Sequence, residues 1–202
     1  MMVKLYELTD FNPEGVFNEK TQIILTETRR EYSRYIKSLK YRYNKKNPYL
    51  PNYVVTKTGD IYKIMEPECY SKYMENPDYD KPSIIISLEN MGWLKKNPLE
   101  MTYLNWVGDI YKKEVFEKKW REQIFWDKYD ETQIISLSKL ILELCDKFNI
   151  PKQCLGTNVK WENVEYFKGI VSRSNFNNIY KDVNPSFNFK LLKKLIEDEQ
   201  PI

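Results

Sequence analysis

Thr26 stands where a short apolar run, Gln22-Ile23-Ile24-Leu25, gives way to polar residues, Thr26-Glu27-Thr28. The carboxyl ends of buried strands are where α/β folds usually place their chemistry. The groups available limit what that chemistry is. The chain contains no histidine, so Ser172, Ser174 and Cys69, the side chains that could attack a substrate, lack the usual activating base. A lysine base is conceivable, but no spacing points to one. Glu66, Glu68 and Glu89 could in principle work with Asp182 as acid and base, although scattered carboxylates are by default solvated. Cys154, Cys69 and Asp182 would make a chemically possible zinc set. Nothing in their spacing suggests it, and free thiols are the simpler reading.

The elements that must position these groups follow from the hydrophobic pattern. Residues 22–26 and Ser83-Ile84-Ile85-Ile86-Ser87-Leu88-Glu89-Asn90 read as buried strands with polar ends. Between them, residues 28–39 predict a helix whose Tyr32, Tyr35, Ile36 and Leu39 share one face. Its Arg and Lys residues then fall mostly on a solvated side. Asn47-Pro48 and Leu50-Pro51 break that helix. Residues 53–65 read as a hairpin around Gly59, and Pro67 to Pro82 as a long loop. The Trp-rich stretch 91–129 holds Trp93, Trp106, Trp120 and Trp126 and a second hairpin at 103–111. Those tryptophans mark either a ligand-binding rim or an excursion anchored on the core by its aromatics.

Asp130-Glu131-Thr132-Gln133 has the spacing of a capping box and opens the clearest helix, with Ile134, Leu137, Leu140, Ile141, Leu144, Cys145 and Phe148 as its stripe. Cys145 is therefore core. Gln153 to Thr157 reads as a short buried strand, 169–175 and 182–189 as parts of a long irregular stretch, and roughly 187–198 as a terminal amphipathic helix. Strands alternating with helices imply one α/β domain with a central mixed sheet flanked by helices. Residues 1–21 form a lead-in, and residues 22–202 the domain, with the Trp-rich insertion at about 91–129.

Composition excludes several classes. At 202 residues the chain is long enough to bury a real core. A net charge of +3, from 32 basic and 29 acidic residues, gives no electrostatic case for nucleic acid. Three cysteines without a CxxC pair indicate reduced thiols, not a disulfide frame or a zinc ribbon. No window is apolar enough to span a membrane, and Met1 to Asp10 lacks the pattern of a signal peptide. The expected site of folding is the cytoplasm. Abundant Lys, Asn, Ile and Tyr beside no Ala matches an AT-rich coding genome.

The order of these pieces resembles the zinc-dependent N-acetylmuramoyl-L-alanine amidases, whose fold is shared with peptidoglycan recognition proteins. The resemblance rests on five patches: Ile23-Ile24-Leu25 with Thr26; Tyr53-Val54-Val55 with Gly59 and Ile61-Tyr62; Ser83 to Asn90; the helix from Asp130 to Phe148; and Asp182, Pro185, Phe187 and Phe189. It implies an amidase-like fold and a zinc ion held by two His and an Asp or Cys. Such an ion would lower the pKa of a bound water and polarise an amide carbonyl.

By the same resemblance, the first ligand position is Thr26, the second Thr157 or Arg173, and the third Asp182. An assisting Glu falls at Ser87, with Glu89 matching the second acidic position of that motif. An aromatic-His pair falls near Tyr73 and Met74, and an expected Tyr at Pro51. Neither Thr157 nor Arg173 is a competent zinc ligand, and a guanidinium would repel the metal. The expectation is therefore a catalytically degenerate amidase-like protein, structural or peptidoglycan-binding, without zinc and without nucleic-acid or membrane partners. Phage-like motifs suggest a virion or tail component that contacts other protein subunits. Tyr73, Trp106, Trp120 and Trp126 are the candidate ligand-binding aromatics. The alternative is an active amidase with a substituted site, carrying zinc.

Overall fold

Ile23-Ile24-Leu25 and Ile84-Ile85-Ile86 lie side by side in parallel register, Ile23 against Ile84 and Leu25 against Ile86, and every residue of both strands is buried. The structure is a computed structural model describing residues 12–44 and 49–197, with the backbone of Lys4–Leu5. Most of the lead-in before residue 12, the Asn47-Pro48 break and the last residue expected for the terminal helix, Asp198, lie outside the described residues.

In chain order the first elements are β1 (Lys4–Leu5), β2 (Gly15–Val16), β3 (Gln22–Glu27), α1 (Tyr32–Asn44), β4 (Tyr53–Val55), β5 (Ile61–Lys63) and β6 (Cys69–Tyr70). Next come α2 (Pro77–Asp80), β7 (Ser83–Leu88), β8 (Trp93–Asn97), β9 (Thr102–Leu104), β10 (Ile110–Tyr111), β11 (Val115–Trp120) and β12 (Gln123–Asp127). The chain continues through α3 (Glu131–Phe148), β13 (Gly169–Ser172) and α4 (Phe189–Glu197). The main sheet has the order β1-β5-β4-β7-β3-β13 and is mixed, with β4, β7, β3 and β13 parallel and β5 antiparallel to β4.

Side chains alternate across this sheet with the period of two that a strand imposes. Ile23, Leu25, Ile84 and Ile86 pack with Leu137, Ile141 and Cys145 of α3 and Leu192 of α4. Ile24, Ile85 and Val171 point to the opposite face, against Tyr73, Met74 and Val164. The same alternation assigns the polar strand ends. Thr26 follows Ile24 onto the Tyr73 face, and Glu27 follows Leu25 onto the α3 face, where Tyr129 meets it.

Four expectations need correction. The segment 153–157 is not a strand: only Cys154 makes an isolated bridge, to Ile170, because Gly156 takes a φ of +70° and turns the chain away. Residues 169–172, read as irregular, form β13 at the sheet edge. Gly169 permits this, since a Cβ there would stand 2.4 Å from the Gln153 carbonyl oxygen. Asp130 does occupy the N-cap of α3 but makes no side-chain cap bond. Gln133, the other half of the expected box, instead donates to the carbonyls of Val55 and Glu89, tying the helix to the strand ends. Finally, the Pro67–Pro82 loop contains β6 and α2.

The Trp-rich segment is a second sheet, antiparallel, ordered β10-β9-β8-β12-β11, with the expected hairpin at 103–111 inside it. Trp126 is its fully buried anchor and donates its indole N–H to the Lys118 carbonyl. Asp127 fastens the sheet to the main body. It is fully buried and accepts from Lys57 Nζ and the Met91 N–H, while its carbonyl oxygen accepts from Asn90 and Asn184.

Candidate functional site

A cleft of about 630 Å³ opens at the carboxyl ends of the parallel strands, lined among others by Glu27, Arg29, Arg30, Tyr35, Arg42, Tyr73, Trp106 and Arg173. Behind its Tyr73 wall, sealed from solvent, lie the penultimate residues of β3 and β7. Register sets Thr26 against Ser87, and their hydroxyls bond at 2.7 Å. Tyr73 completes a closed set, with its hydroxyl 2.9 Å from Thr26 Oγ1 and 3.1 Å from Ser87 Oγ, and Tyr35 reaches Ser87 at 3.3 Å. Burial, with the neighbouring Tyr73, drives the Tyr35 phenol well above its ordinary pKa.

Arg173 is the first residue after β13, whose last residue Ser172 pairs with Leu25, so Arg173 comes level with Thr26. Its guanidinium lies 4.1 Å from the Tyr180 ring centroid and 5.3 Å from that of Tyr73, and 3.9 Å from Asp182 Oδ2. Asp182 is 1 % exposed; it also has Arg29 Nη2 at 3.6 Å and accepts the Glu27 backbone N–H at 3.4 Å.

The structure brings Thr26, Ser87, Tyr73, Arg173 and Asp182 together. Thr157 shares none of these contacts: its carbonyl oxygen accepts from Ser172 and Asn175, and its hydroxyl from the Val159 N–H. Of the two residues considered for the second ligand position, Arg173 is the one that faces the cleft. Glu89 is also elsewhere, accepting the N–H groups of Tyr32 and Lys57.

The aromatic candidates divide. Trp106 lines the cleft beside Tyr73, donating its indole N–H to the Arg29 carbonyl at 2.7 Å. Trp120 lines a different depression, with Val159 and Ile179, under Arg121. Trp126 is enclosed in the second sheet and touches no groove. A tryptophan's spacing in sequence gave no sign of which face it would take, and burial of the largest ring in that small sheet's core decided it for Trp126.

Sequence reasoning passed over Glu27, Arg29, Arg30 and Arg42. Burial first, and Asp182 second, push the Glu27 carboxyl up to about 8, while Tyr129 and the Asn184 N–H bond its Oε1 and oppose the shift. Its Oε2 is buried without a hydrogen-bond partner. The α1 cations are not confined to a solvated side. Arg42 follows Tyr35 and Leu39 at i+7 and i+3, which carries it onto the helix's inward stripe and into the cleft. That spacing was the available signal.

These residues do not fit a zinc ion. A zinc site needs neutral or anionic donors converging on one point. Here the one carboxylate at the expected position, Asp182, faces two guanidiniums, and Thr26 spends its hydroxyl on Ser87 and Tyr73. Cys154, its thiol pushed up to about 11 by burial, and Cys69 do not converge on Asp182; among the described residues no three His, Cys, Asp or Glu side chains gather as a metal site.

No protein-family model matches the sequence, and no curated protein matches it. Solved structures do match the fold. N-acetylmuramoyl-L-alanine amidase LysC from Clostridium intestinale superposes with a TM-score of 0.57 at 13% identity, over 97% of this chain and 99% of that one. Staphylococcus aureus hydrolase AmiA, in complex with its ligand, gives 0.57 at 10% identity over 98% of this chain and 82% of that one. The amidase AmiD from E. coli, in complex with the substrate anhydro-N-acetylmuramic acid-L-Ala-D-gamma-Glu-L-Lys, gives 0.51 at 12% identity over 93% of this chain and 61% of that one. The architecture of this chain, a single α/β domain with a central mixed sheet flanked by helices, is that of the N-acetylmuramoyl-L-alanine amidases.

Proposed function

We propose that this chain is a non-hydrolytic member of the amidase fold that holds a peptidoglycan-like peptide in the 630 Å³ cleft, as a binding component of a larger particle such as a phage virion. The observation that carries this reading lies behind the cleft wall: the hydroxyls of Thr26, Ser87 and Tyr73 close on one another, and Arg173 sits on Asp182. Hydrolysis of an amide needs an activated nucleophile and a stabiliser for the developing oxyanion. These hydroxyls spend their hydrogen bonds on one another, sealed from solvent, with no base among those partners. The cleft in front of them keeps what binding needs, namely aromatic surface from Tyr73, Trp93 and Trp106 and guanidinium donors.

Titration of a soluble muramyl tripeptide against the purified protein tests the reading, with intrinsic fluorescence as the readout. Saturable change that disappears in Trp106→Phe supports it, because that indole borders the cleft. An unchanged spectrum, with no heat of binding by calorimetry, overturns peptide binding.

A second reading, a purely structural subunit, is favoured by one observation. Val159 and Ile179 are 58% and 77% exposed and share a depression with Trp120 on a surface apart from the cleft. Retention of the protein in purified particles, lost on Ile179→Lys while the cleft still binds peptide, would assign that surface to a subunit contact.

A further inference from the structure

Arg30 and Arg42 both line the cleft, and among the described residues neither has a carboxylate oxygen within the 4.0 Å of an ion pair. The nearby acids are already engaged. Asp182 is held by Arg29 and Arg173, Asp109 by Arg34, and Glu89 by two backbone N–H groups. Glu27 keeps its proton at neutral pH because it is buried beside Asp182. The two unpaired guanidiniums are nonetheless held in place. Arg30 lies over the Trp106 ring at 4.9 Å, and its backbone is fixed by Thr28 Oγ1 and by a bridge to Asn90. Arg42 lies 5.8 Å from the Tyr35 ring centroid and donates Nε–H to the Ser38 carbonyl.

Like charges gathered in a concave site without a counter-charge cost free energy unless a ligand supplies the opposite sign. Partial burial, and after it the fields of Arg42 and Arg34, lower the Arg30 pKa. A guanidinium stacked on an aromatic ring leaves its edge donors free, and those donors match the two oxygens of a carboxylate.

We propose that Arg30 and Arg42 form an oxyanion subsite in the cleft, which takes the carboxylates of the bound peptide. The proposal rests on the reading of the cleft as a peptide site and adds the group by which the peptide is recognised. It separates the two ends of the site, with carboxylates at the α1 side and neutral ligand surface over Tyr73 and Trp93.

The test uses two probes. Citrate, a small polycarboxylate, is titrated against the intact protein with Trp106 fluorescence as the readout, in low and high salt. Each of Arg30→Gln and Arg42→Gln should weaken citrate by about tenfold, the range expected for loss of one charge-assisted hydrogen-bonded contact. Arg30→Lys should fall between, since it keeps the charge and loses the fork. Lys139→Gln, an exposed cation on α3, should bind as the parent does. Circular dichroism melts identify any variant that has lost its fold, and the Lys variant then carries the comparison. Equal citrate affinity in all Arg variants overturns the subsite.

The second probe is the muramyl tripeptide with its carboxylates free or amidated. Tight binding of the free acid and at least tenfold weaker binding of the amide supports the subsite. Equal binding of both overturns it while leaving the peptide reading intact. Arg-dependent citrate binding without any tripeptide binding supports the subsite and overturns the peptide reading.

Discussion

The Glu27 backbone N–H donates to Asp182 Oδ2 across 155 positions of sequence, bringing two buried acids together at the inner edge of the cleft. The two Arg residues that flank Asp182 keep its charge compensated, whereas the Glu27 carboxyl receives only neutral donors. Protonation is the way such a group avoids being a buried, uncompensated charge.

This has a consequence for stability against pH. A carboxyl that holds its proton more tightly folded than unfolded stabilises the fold while protonated. The contribution of Glu27 is complete below about 4.5 and is lost as pH rises to about 8. Asp80, raised to about 6 by burial, acts in the same direction but over a lower window. Lys20, lowered to about 8 by burial, acts in the opposite sense and only at the upper end, so the interval from about 6 to 8 reports mainly on Glu27. Urea denaturation at pH 6 and pH 8 should show lower stability at the higher pH, and Glu27→Gln should remove most of that difference. An unchanged difference would contradict the assignment.

Removing the charge of Asp182 leaves Arg29 and Arg173 facing each other without a counter-ion. Asp182→Asn should destabilise by about 1–3 kcal/mol, less than for a wholly buried pair, because the Arg29 side chain is 40% exposed and solvent screens it. The double variant Asp182→Asn with Arg173→Gln should recover part of the loss. Chemical denaturation of the two variants reads both effects.

Trp126 and Trp106 should respond in opposite ways. Trp126→Ala empties the core of the second sheet and should cost about 3–5 kcal/mol. Trp106 is 40% exposed, and its replacement by Phe should change stability by less than about 1 kcal/mol while altering ligand-induced fluorescence. Parallel melts and titrations distinguish the two roles.

Much of the fold was legible in the chain because its central strands are continuous apolar runs and α3 carries an uninterrupted stripe. Ile23 to Leu25, Ile84 to Ile86, and Ile134 to Cys145 state their own burial. The edge strand β13 was not legible, since Gly169-Ile170-Val171-Ser172 is too short to show a period and depends on Gly169 for its entry. The site was legible in part. Thr26, Ser87, Tyr73, Arg173 and Asp182 do converge. Of the cationic lining, Arg42 carried a signal in its i+7 spacing from Tyr35, whereas Arg30 was hidden, because its side chain is directed by the ring of Trp106, remote in sequence. Glu27 was hidden for a related reason, as its environment comes from Tyr129, Asp182 and Asn184, all remote in sequence.

The hairpin between β4 and β5 offers a backbone test. Gly59 has a φ of +84°, and a Cβ there would stand 2.5 Å from Ser136 Oγ of α3. Gly59→Ala should therefore destabilise by at least about 1 kcal/mol, from the left-handed backbone and the contact together. Adding Ser136→Ala should relieve the contact alone, leaving the backbone cost, as thermal melts of the single and double variants would show.

The central claim is that the cleft binds without cutting. Its most direct test is incubation of the zinc-equilibrated protein with purified peptidoglycan, followed by mass spectrometry of the soluble fraction. The account predicts no release of stem peptides beginning with L-alanine, with chelator present or absent. Release that chelator abolishes, from protein carrying stoichiometric zinc, would contradict it.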